Sequence, residues 1–439
     1  MLWSSIYHTI IFAKGYKHEE QCFRNLGNQR INQKFSLVIP AKNEPIDLIR
    51  NCLSSIRKSS VSVKELSIET VLVLDDPLRR SSMVLNSVKE ILDGNTVVVF
   101  RVNIANGRNG ALNDGVKFSL SDAILIMDID SIISREIIEE ASKCQDVCVF
   151  RWKTYTNRNT FIEEAVAFIT DFGSWIYYKL RSCANFFVYP LGAGTFLSKK
   201  IIKRLGFWPI HIIQDDIWLG VELARYGIRP KLGISRLMVG VPETLRAFRI
   251  QQCRWAFGTS EVLSRFAKDL IKSPMDMPSK LEALLYILQP LYSCPAFIGF
   301  IIAPIAGYLE STHLLQFLPL ILIIVLSMVL EAMIMKIFVE DEKIYNRKAL
   351  FLMGRTSALM TLLTPLIAVY AIAGILRKRI PYRITPKGEG KQYVDVSIYL
   401  MLSLGILTFV LSTLSGNHVV LLLGLSELIV AIYSLVRFS

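Results

Sequence analysis

The final third of this chain consists mainly of apolar runs, each about as long as a lipid bilayer is thick. The clearest run, 284–309, contains no charged residue. An α-helix needs about 20 consecutive apolar residues to cross the hydrocarbon core of a bilayer. Further candidate spans follow at 314–338, 349–376, 396–414 and 419–436. The mean hydropathy of +0.40 is therefore concentrated in one region, which we predict to be embedded in a lipid bilayer.

The basic residues between these runs predict the topology. Six lysines and arginines lie in 377–391 and three in 340–348, whereas 309–314 and 415–418 contain none. Positively charged loops tend to stay on the cytoplasmic side of a cell membrane. Both basic loops, the N-terminal domain and the C-terminus are therefore predicted to be cytoplasmic. Four crossings satisfy this arrangement if 349–376 lies along the membrane or re-enters it, and five crossings are the alternative.

The overall charge and the N-terminal segment also indicate contact with a membrane. The formal net charge is +13, and the basic residues cluster beside the apolar spans. This distribution favours anionic lipid or a phosphorylated substrate as partner, and not nucleic acid. Residues 1–16 have helical periodicity but are too short to cross a bilayer, so they are predicted to form an interfacial amphipathic helix. The seven cysteines are expected to be reduced thiols in packing positions.

Residues 34–270 show the pattern of a parallel α/β sheet. Continuous apolar runs at 36–40, 71–74 and 123–127 are separated by segments of helical periodicity. Apolar runs without alternation are typical of strands that are buried on both faces. We therefore predict an α/β domain whose ligand site lies at the carboxyl edge of the strands.

Three pairs of aspartates mark candidate sites in this domain. Two pairs follow predicted strands, and the third begins a predicted helix. The pairs are Asp75 with Asp76, Asp128 with Asp130, and Asp215 with Asp216. Carboxylates at positions i and i+2 after a strand suit a Mg²⁺ or Mn²⁺ ion that bridges a diphosphate. A carboxylate at a helix start can be held ionised, ready to accept a proton from a hydroxyl group.

Two arginines are candidate phosphate ligands. Arg108 lies in the glycine-containing segment 106–113, where the backbone can approach a ligand closely. Arg254 belongs to the sequence Gln-Gln-Cys-Arg-Trp at 251–255, just before the first apolar run. An arginine suits a phosphate group, and Trp255 suits the face of a sugar ring. Together with the aspartates, these residues predict sugar transfer from a nucleotide donor at a membrane.

The order of these motifs resembles the membrane-bound family 2 glycosyltransferases, in the branch with cellulose, chitin and hyaluronan synthases. Residues 251–255 match the family's Q-x-x-R-W motif, and 128–130 look like its DxD motif. Residues 38–44 are similar to its first nucleotide-binding strand and turn, and Asp216 takes the place of the final acid in its TED motif. Residues 382–388 resemble the F-x-V-T-P-K-G gating segment of cellulose synthases.

This resemblance implies a GT-A-type, Rossmann-like catalytic domain at 34–270, followed by a transmembrane region at 284–437. It also implies inverting transfer from a nucleotide-diphosphate sugar, most often a uridine one, with Asp216 as catalytic base. Asp130, with Asp128 beside it, would hold the Mg²⁺ or Mn²⁺. The residues expected to bind the nucleotide sugar are Pro40, Ala41, Glu44, Asp75, Asp76, Arg108, Asp128, Gln251 and Arg254. The residues expected to contact the acceptor are Trp255, Asp215 and Gly194.

The chain departs from the family pattern at several positions. Gln214 and Asp215 replace a Thr-Glu pair, Arg108 replaces a lysine, and Tyr382 replaces a phenylalanine. The spans that usually precede the catalytic domain in polysaccharide synthases are reduced here to residues 1–16, which disfavours a full polymer channel.

Three functional hypotheses stay open. The first is a processive polysaccharide synthase that exports its product, and the second is an enzyme that glycosylates a ceramide-like or polyprenyl-phosphate lipid once. The third is a non-enzymatic membrane scaffold, which the complete acidic set disfavours. Trp255 and the gating-like segment favour the synthase, whereas the reduced N-terminus favours the lipid acceptor.

Overall fold

A computed structural model gives the architecture of the chain. It describes residues 2–18, 22, 34–61, 63, 68–102, 104–309, 318–378, 380, 384–388 and 394–439. Tyr382 and Arg383, the first residues of the predicted gating segment, lie outside the described residues. The same holds for 314–317, the beginning of one predicted span.

The strands of the described residues lie in the first 240 residues, and β1, β2 and β4 coincide with the three predicted apolar runs. Their bounds are β1 Ser36–Ala41, β2 Glu69–Leu74, β3 Thr96–Phe100, β4 Ala123–Ile126, β5 Ser131–Ile132, β6 Val147–Val149, β7 Trp152–Tyr155, β8 Thr195–Ser198, β9 Lys231–Leu232 and β10 Leu237–Gly240. The large sheet has the order β3-β2-β1-β4-β8-β6-β9, and a small sheet has the order β5-β10-β7.

The large sheet is parallel where the sequence predicts it and mixed beyond that point. Strands β3, β2, β1 and β4 run parallel, with Ser36 of β1 aligned with Glu69 of β2 and with Ile124 of β4. Strand β8 is antiparallel to both β4 and β6. The carboxyl ends of β1, β2 and β4 therefore share one edge, which brings the segments after Ala41, Leu74 and Ile126 together.

Helices cover both faces of this sheet. Before and within the α/β domain, the described helices of seven or more residues are α1 Leu2–Tyr16, α2 Ile46–Val61, α3 Leu78–Val88, α4 Gly107–Phe118, α5 Arg135–Ala141, α6 Phe161–Ser174, α7 Lys199–Leu205, α8 Asp215–Arg225 and α9 Leu245–Ile271. Alternate residues of β1 face opposite clusters: Val38 is buried in one with Leu112 of α4, and Leu37 in the other with Ile49 of α2. This burial on both faces explains why the strands have no polar alternation.

The helices after the α/β domain are mainly apolar. They are α10 Met277–Leu288, α11 Ser293–Leu309, α12 Leu318–Asp341, α13 Asn346–Ile375, α14 Val396–Ser415 and α15 His418–Arg437. Within the described residues, five helical stretches are long and apolar enough to cross a membrane: Met277–Leu309, which joins α10 and α11, and Ile321–Asp341, Arg347–Ile375, Val396–Ser415 and His418–Arg437. The helix predicted to lie along the membrane at 349–376 is thus long enough to span it, and the choice between four and five crossings stays a prediction.

Helix α13 connects the apolar helices to the α/β domain. It packs along α9 so closely that a Cβ atom at Gly374 would collide with the carbonyl oxygen of Phe257. Leu359 and Leu363 of α13 are fully buried in a cluster with Phe248 of α9. The helix with the Gln-x-x-Arg-Trp motif therefore rests directly on an apolar helix.

Helix α1 packs against the apolar helices and does not stand alone. His8 Nδ1 is hydrogen-bonded to Glu331 Oε1 of α12 at 2.8 Å, and Tyr7 donates to Glu282 Oε1 of α10 at 2.7 Å. Its predicted location at the membrane surface stays a prediction.

The prediction that the cysteines are reduced thiols is wrong for four of them. Cys22 is disulfide-bonded to Cys183, and Cys144 to Cys148, with Cα–Cα distances of 5.3 and 6.2 Å. The sequence did not indicate the first pair, because Cys22 and Cys183 are 161 residues apart and meet only through the fold.

Candidate active site

A cavity of about 190 Å³ lies at the carboxyl edge of the large sheet. The segment 384–388, which follows the apolar helix α13, lies against it and contributes Thr385 and Lys387 to its walls. Most of the predicted site residues also line it: Pro40, Glu44, Arg108, Asp128, Asp130, Asp215, Asp216, Gln251, Arg254 and Trp255. Residues from six separate parts of the sequence thus meet in one place.

The predicted phosphate ligand Arg108 connects the two acidic sites of the cavity. Its Nη1 donates to Asp128 Oδ1, and its Nε is 3.4 Å from Asp215 Oδ2. Its Nη2 donates to the carbonyl oxygen of Gly192 at 2.7 Å, which fixes the plane of the guanidinium. Although burial raises the pKa of Asp128, the charges of Arg108, Lys387 and Arg254 outweigh burial and hold this pKa below its usual value.

Asp130 and Glu44 share a cation that comes from the C-terminal half of the chain. Lys387 Nζ is 3.0 Å from Asp130 Oδ2 and 3.1 Å from Glu44 Oε1. Burial, together with Asp130 and Asp128, raises the pKa of Glu44 to about 7, even though Lys387 opposes the shift. The pKa of Lys387 is raised despite its burial, because three carboxylates surround it. Both aspartates of the DxD motif are therefore neutralised by basic side chains of the chain itself.

Asp216 is held as a candidate proton acceptor in the first turn of α8. Its Oδ1 accepts hydrogen bonds from Gln214 Nε2 at 2.9 Å and from the backbone N–H of Ile217 at 2.8 Å. Burial, followed by the charge of the adjacent Asp215, raises the pKa of Asp216 to about 7. A general base works best when its pKa lies near the working pH. The role of Asp216 as catalytic base stays a prediction.

The Gln-x-x-Arg-Trp motif presents one face of α9 to the cavity. Gln251, Arg254 and Trp255 are spaced i, i+3 and i+4, so their side chains project from the same side of the helix. Arg254 Nη2 lies 3.4 Å from Thr385 Oγ1. The ring of Trp255 lies beside that of Trp152, with centroids 6.4 Å apart and an angle of 36° between the planes. The cavity thus has an aromatic wall next to Arg254, the predicted phosphate ligand.

Sequence reasoning missed Trp152. It begins strand β7, lines the cavity and donates from Nε1 to the carbonyl oxygen of Ala193 at 2.8 Å. No motif surrounds it, and its approach to Trp255 depends on the small sheet. A cavity-facing aromatic of this kind has no signal in a single sequence.

Four predicted site residues lie outside the cavity lining. Asp75 is ion-paired with Arg101 and with Lys42 Nζ, the latter at 3.0 Å. Asp76 accepts a hydrogen bond from the backbone N–H of Asn43 at 3.0 Å. Asn43 has a left-handed backbone, φ 54°, which turns the chain toward the cavity after β1. Asp75 and Asp76 therefore hold the turn that presents Glu44, and their predicted contact with the nucleotide stays a prediction.

The other two predicted site residues outside the cavity lining are Ala41 and Gly194. Ala41 is the last residue of β1 and is buried in the core. Gly194 has φ 90°, and a Cβ atom there would lie 2.5 Å from the carbonyl oxygen of Phe150. The glycine is thus required by the close approach of two backbones. Gly192 and Ala193, the two small residues before Gly194, line the cavity instead.

The carboxylates fit a metal ion that is shared with a substrate. Mg²⁺ is commonly held by one or two carboxylates together with substrate phosphates, and Asp128 and Asp130 line the cavity together. Within the described ranges, no group of three or more His, Cys, Asp or Glu side chains is arranged as a metal site. The donor set therefore suits a metal that arrives with a diphosphate, and not a protein-enclosed ion.

Sequence comparison assigns the family. Residues 36–206 match glycosyl transferase family 2, and residues 123–339 match glycosyl transferase family group 2. Together the two matches cover both sheets, α9 and all of the cavity lining except segment 384–388, and they extend into the apolar helices as far as residue 339. The matched residues therefore form a glycosyltransferase family 2 domain, and the predicted GT-A-type α/β domain followed by apolar helices is confirmed.

Several proteins of similar sequence are named as glycosyltransferases or as a polysaccharide synthase. A probable glycosyltransferase of Sulfolobus acidocaldarius is 27% identical over 366 residues, covering 81% of this chain and 78% of its own length. The probable glycosyltransferase YdaM of Bacillus subtilis is 24% identical, covering 62% and 67%. A poly-β-1,6-N-acetyl-D-glucosamine synthase of Staphylococcus aureus is also 24% identical, and here the chain spans about half of the relative, 53%.

Solved structures give weaker likenesses. The mannosyltransferase PcManGT from Pyrobaculum calidifontis, in complex with GDP-Man and Mn²⁺, is 15% identical with a TM-score of 0.46, covering 86% of this chain and 100% of that one. TarS of S. aureus is 15% identical with a TM-score of 0.40, covering 78% and 54%.

Proposed function

We propose that this family 2 glycosyltransferase is an inverting enzyme that uses a nucleotide-diphosphate sugar, with a uridine donor as first candidate, to elongate and export a polysaccharide at a membrane. The observation that carries the proposal is the single cavity in which DxD carboxylates, a poised aspartate and an Arg-Trp pair meet. Incubating the purified chain with labelled donor sugars and sizing the products tests it.

In the proposed reaction Asp216 removes the proton from an acceptor hydroxyl. The resulting oxygen attacks the anomeric carbon from the side opposite the diphosphate, so a new C–O bond forms while the sugar–phosphate bond breaks. The electron pair of the broken bond leaves with the nucleoside diphosphate, and inversion follows from the direction of attack. Three cations of the cavity, Arg108, Arg254 and Lys387, lie where they can stabilise the charge that develops.

Asp130 and Asp128 would hold the divalent cation, which supplies further positive charge beside the leaving diphosphate. Lys387 and Arg108 contact these two carboxylates. We infer that the two basic side chains keep the carboxylates ionised and separated until the donor arrives. The proposed role links the segment 384–388 to donor binding.

The proposed cation use leads to a direct expectation. Transfer by the purified chain should stop in excess EDTA and return when Mg²⁺ or Mn²⁺ is added beyond the chelator. Asp130→Ala should weaken cation-dependent donor binding, measured by calorimetry, whereas Asp122→Ala at an exposed position of the same domain should not. Full transfer in excess chelator would refute the cation-bound donor.

The raised pKa of Asp216 predicts the pH profile. Above pH 7 its carboxylate is ionised and can accept a proton, so kcat/KM should fall as the pH drops through about 7. Asp215→Asn removes the adjacent negative charge and lowers the pKa of Asp216. The acid limb of the profile should therefore move to lower pH in this variant.

Glu44 provides the control for this experiment, because its pKa is also about 7. If the acid limb belongs to Asp216, it persists in Glu44→Gln and moves only in Asp215→Asn. A limb that disappears in Glu44→Gln and stays in place in Asp215→Asn assigns the titration to Glu44 and contradicts the role of Asp216.

The polymer is favoured over a single transfer by the aromatic wall and by the position of the gating-like segment. Trp255 and Trp152 provide a surface on which a terminal sugar can stack, and Thr385 and Lys387 line the same cavity. Transfer to a lipid acceptor, ceramide-like or polyprenyl phosphate, is the alternative. A single discrete glycolipid product would establish it.

A further inference from the structure

A second cavity lies apart from the catalytic one, beside the start of the apolar helix α13. Its volume is about 330 Å³, and it is lined by Glu164, Tyr345, Arg347, Lys348, Phe351 and Arg355. We call these six residues the basic pocket. Among the described residues none lines both cavities, so the basic pocket is separate from the nucleotide-sugar site.

The basic pocket has an excess of positive charge. Its three cations face one carboxylate, Glu164, which leaves a net charge of +2 from these four residues. Arg355 is ion-paired with Glu164, and Lys348 Nζ lies 3.4 Å from the same carboxylate. The side chain of Lys348 is 60% exposed, and Arg347 is exposed as well. One carboxylate therefore cannot neutralise the group, and the pocket suits an anion.

The ring of Phe161 contacts two arginines at the edge of the basic pocket. The guanidinium of Arg355 lies 4.2 Å from the ring centroid of Phe161, and that of Arg437 lies 4.8 Å from the same centroid. Arg437 ends α15, the last apolar helix, whereas Arg355 lies near the start of α13. The ends of two candidate spans thus bring their basic residues together at one place.

The surface next to these cations is apolar. Tyr345 is 75% exposed, Leu350 70% and Phe351 60%, and Val436 beside Arg437 is 68% exposed. Exposed aromatic and apolar side chains next to arginine and lysine are typical of the boundary between a bilayer and water. A free inorganic ion would gain nothing from this apolar rim, whereas the glycerol and acyl chains of a lipid would cover it.

We propose that the basic pocket binds the phosphate group of an anionic phospholipid. Arginine presents its donors in a fork that matches phosphate oxygens, and basic clusters at the end of a span attract anionic headgroups. The inference rests on the apolar helices lying in a bilayer and is independent of which sugar or acceptor the enzyme uses.

The test compares lipids on the purified full chain in detergent. Binding of phosphatidylglycerol and of phosphatidylcholine is measured by native mass spectrometry, with inorganic phosphate as a third ligand. The variant Arg347→Gln/Lys348→Gln removes two exposed cations. The control Lys143→Gln/Lys200→Gln removes the same charge from exposed positions of the α/β domain. Unchanged melting temperatures without lipid show that both variants fold.

Phosphatidylglycerol should bind more tightly than phosphatidylcholine, and the Arg347/Lys348 variant should lose roughly 10- to 30-fold of that affinity. The Lys143/Lys200 control should keep it. Equal binding of the two lipids, or equal loss in the control, would overturn the proposal. If inorganic phosphate at millimolar concentration displaces phosphatidylglycerol, the pocket is a site for free phosphate and the lipid assignment is wrong. Should the double variant fail to fold, Arg347→Gln alone is used, with Lys200→Gln as its control.

Discussion

Asparagine at position 216 should lower kcat for sugar transfer by roughly 10²- to 10⁴-fold, because a positioned general base is lost. The amide has the shape of the carboxylate, and its Oδ1 can still accept the hydrogen bonds from Gln214 and from the N–H of Ile217. Donor binding should therefore stay within a few-fold of the parent.

Two measurements separate catalysis from binding in this variant. Single-turnover transfer gives the chemical step, and calorimetry with the donor gives the dissociation constant. Asp122→Asn, which changes an exposed aspartate of the same domain, should behave like the parent in both. If the Asp216→Asn protein turns over within a few-fold of the parent, another group is the base.

Trp255→Ala should nearly abolish the formation of long products. In a processive enzyme the same ring receives every new terminal sugar, so a loss of about 1 kcal/mol or more in stacking is repeated at each addition. Trp255 lies half-buried beside Trp152, which leaves its ring accessible from the cavity. Gel filtration of products made from radiolabelled donor gives the length distribution directly.

The control for Trp255 is a change that keeps an aromatic face. Trp255→Phe should make shorter products than the parent but longer ones than Trp255→Ala. Equal product lengths in all three proteins would show that the ring does not hold the acceptor. If the parent itself makes one discrete glycolipid under excess donor and long incubation, the lipid-acceptor alternative replaces the synthase.

Much of the α/β domain and of its acidic edge could be predicted from the sequence. Buried parallel strands leave uninterrupted apolar runs, and the polar residue that follows each run marks the end of a strand. Asp128 and Asp130 could therefore be placed at the carboxyl edge before any coordinates. The Gln-x-x-Arg-Trp motif at 251–255 could likewise be recognised from the sequence, whereas its position on one face of α9 came from the structure.

The contacts across the cavity could not be predicted in the same way. Lys387 meets Asp130 and Glu44 only because the segment after α13 returns to the sheet edge. No periodicity encodes a contact between residues so far apart in the sequence. The ion pair between Asp75 and Arg101 could not be predicted either, because the two residues follow different strands. Such pairs are set by sheet order and not by spacing.

The relation of the apolar helices to a membrane could not be predicted from the sequence for a different reason. Periodicity and length located the helix 349–376, but its relation to a membrane depends on what covers each face. In the structure Arg347–Ile375 is both apolar enough to span a membrane and partly buried against the α/β domain. Composition alone does not distinguish a helix that packs on a domain from one that packs on lipid.

The most direct test of the central claim is the stoichiometry of donor use. The purified chain is incubated with a radiolabelled nucleotide-diphosphate sugar, Mg²⁺ or Mn²⁺ and a membrane extract as acceptor source. We expect one nucleoside diphosphate to be released for each sugar incorporated into product. The Asp216→Asn protein should neither release the nucleoside diphosphate nor incorporate the sugar. Absence of incorporation with uridine and guanosine donors alike, by folded protein, would contradict sugar transfer at this site.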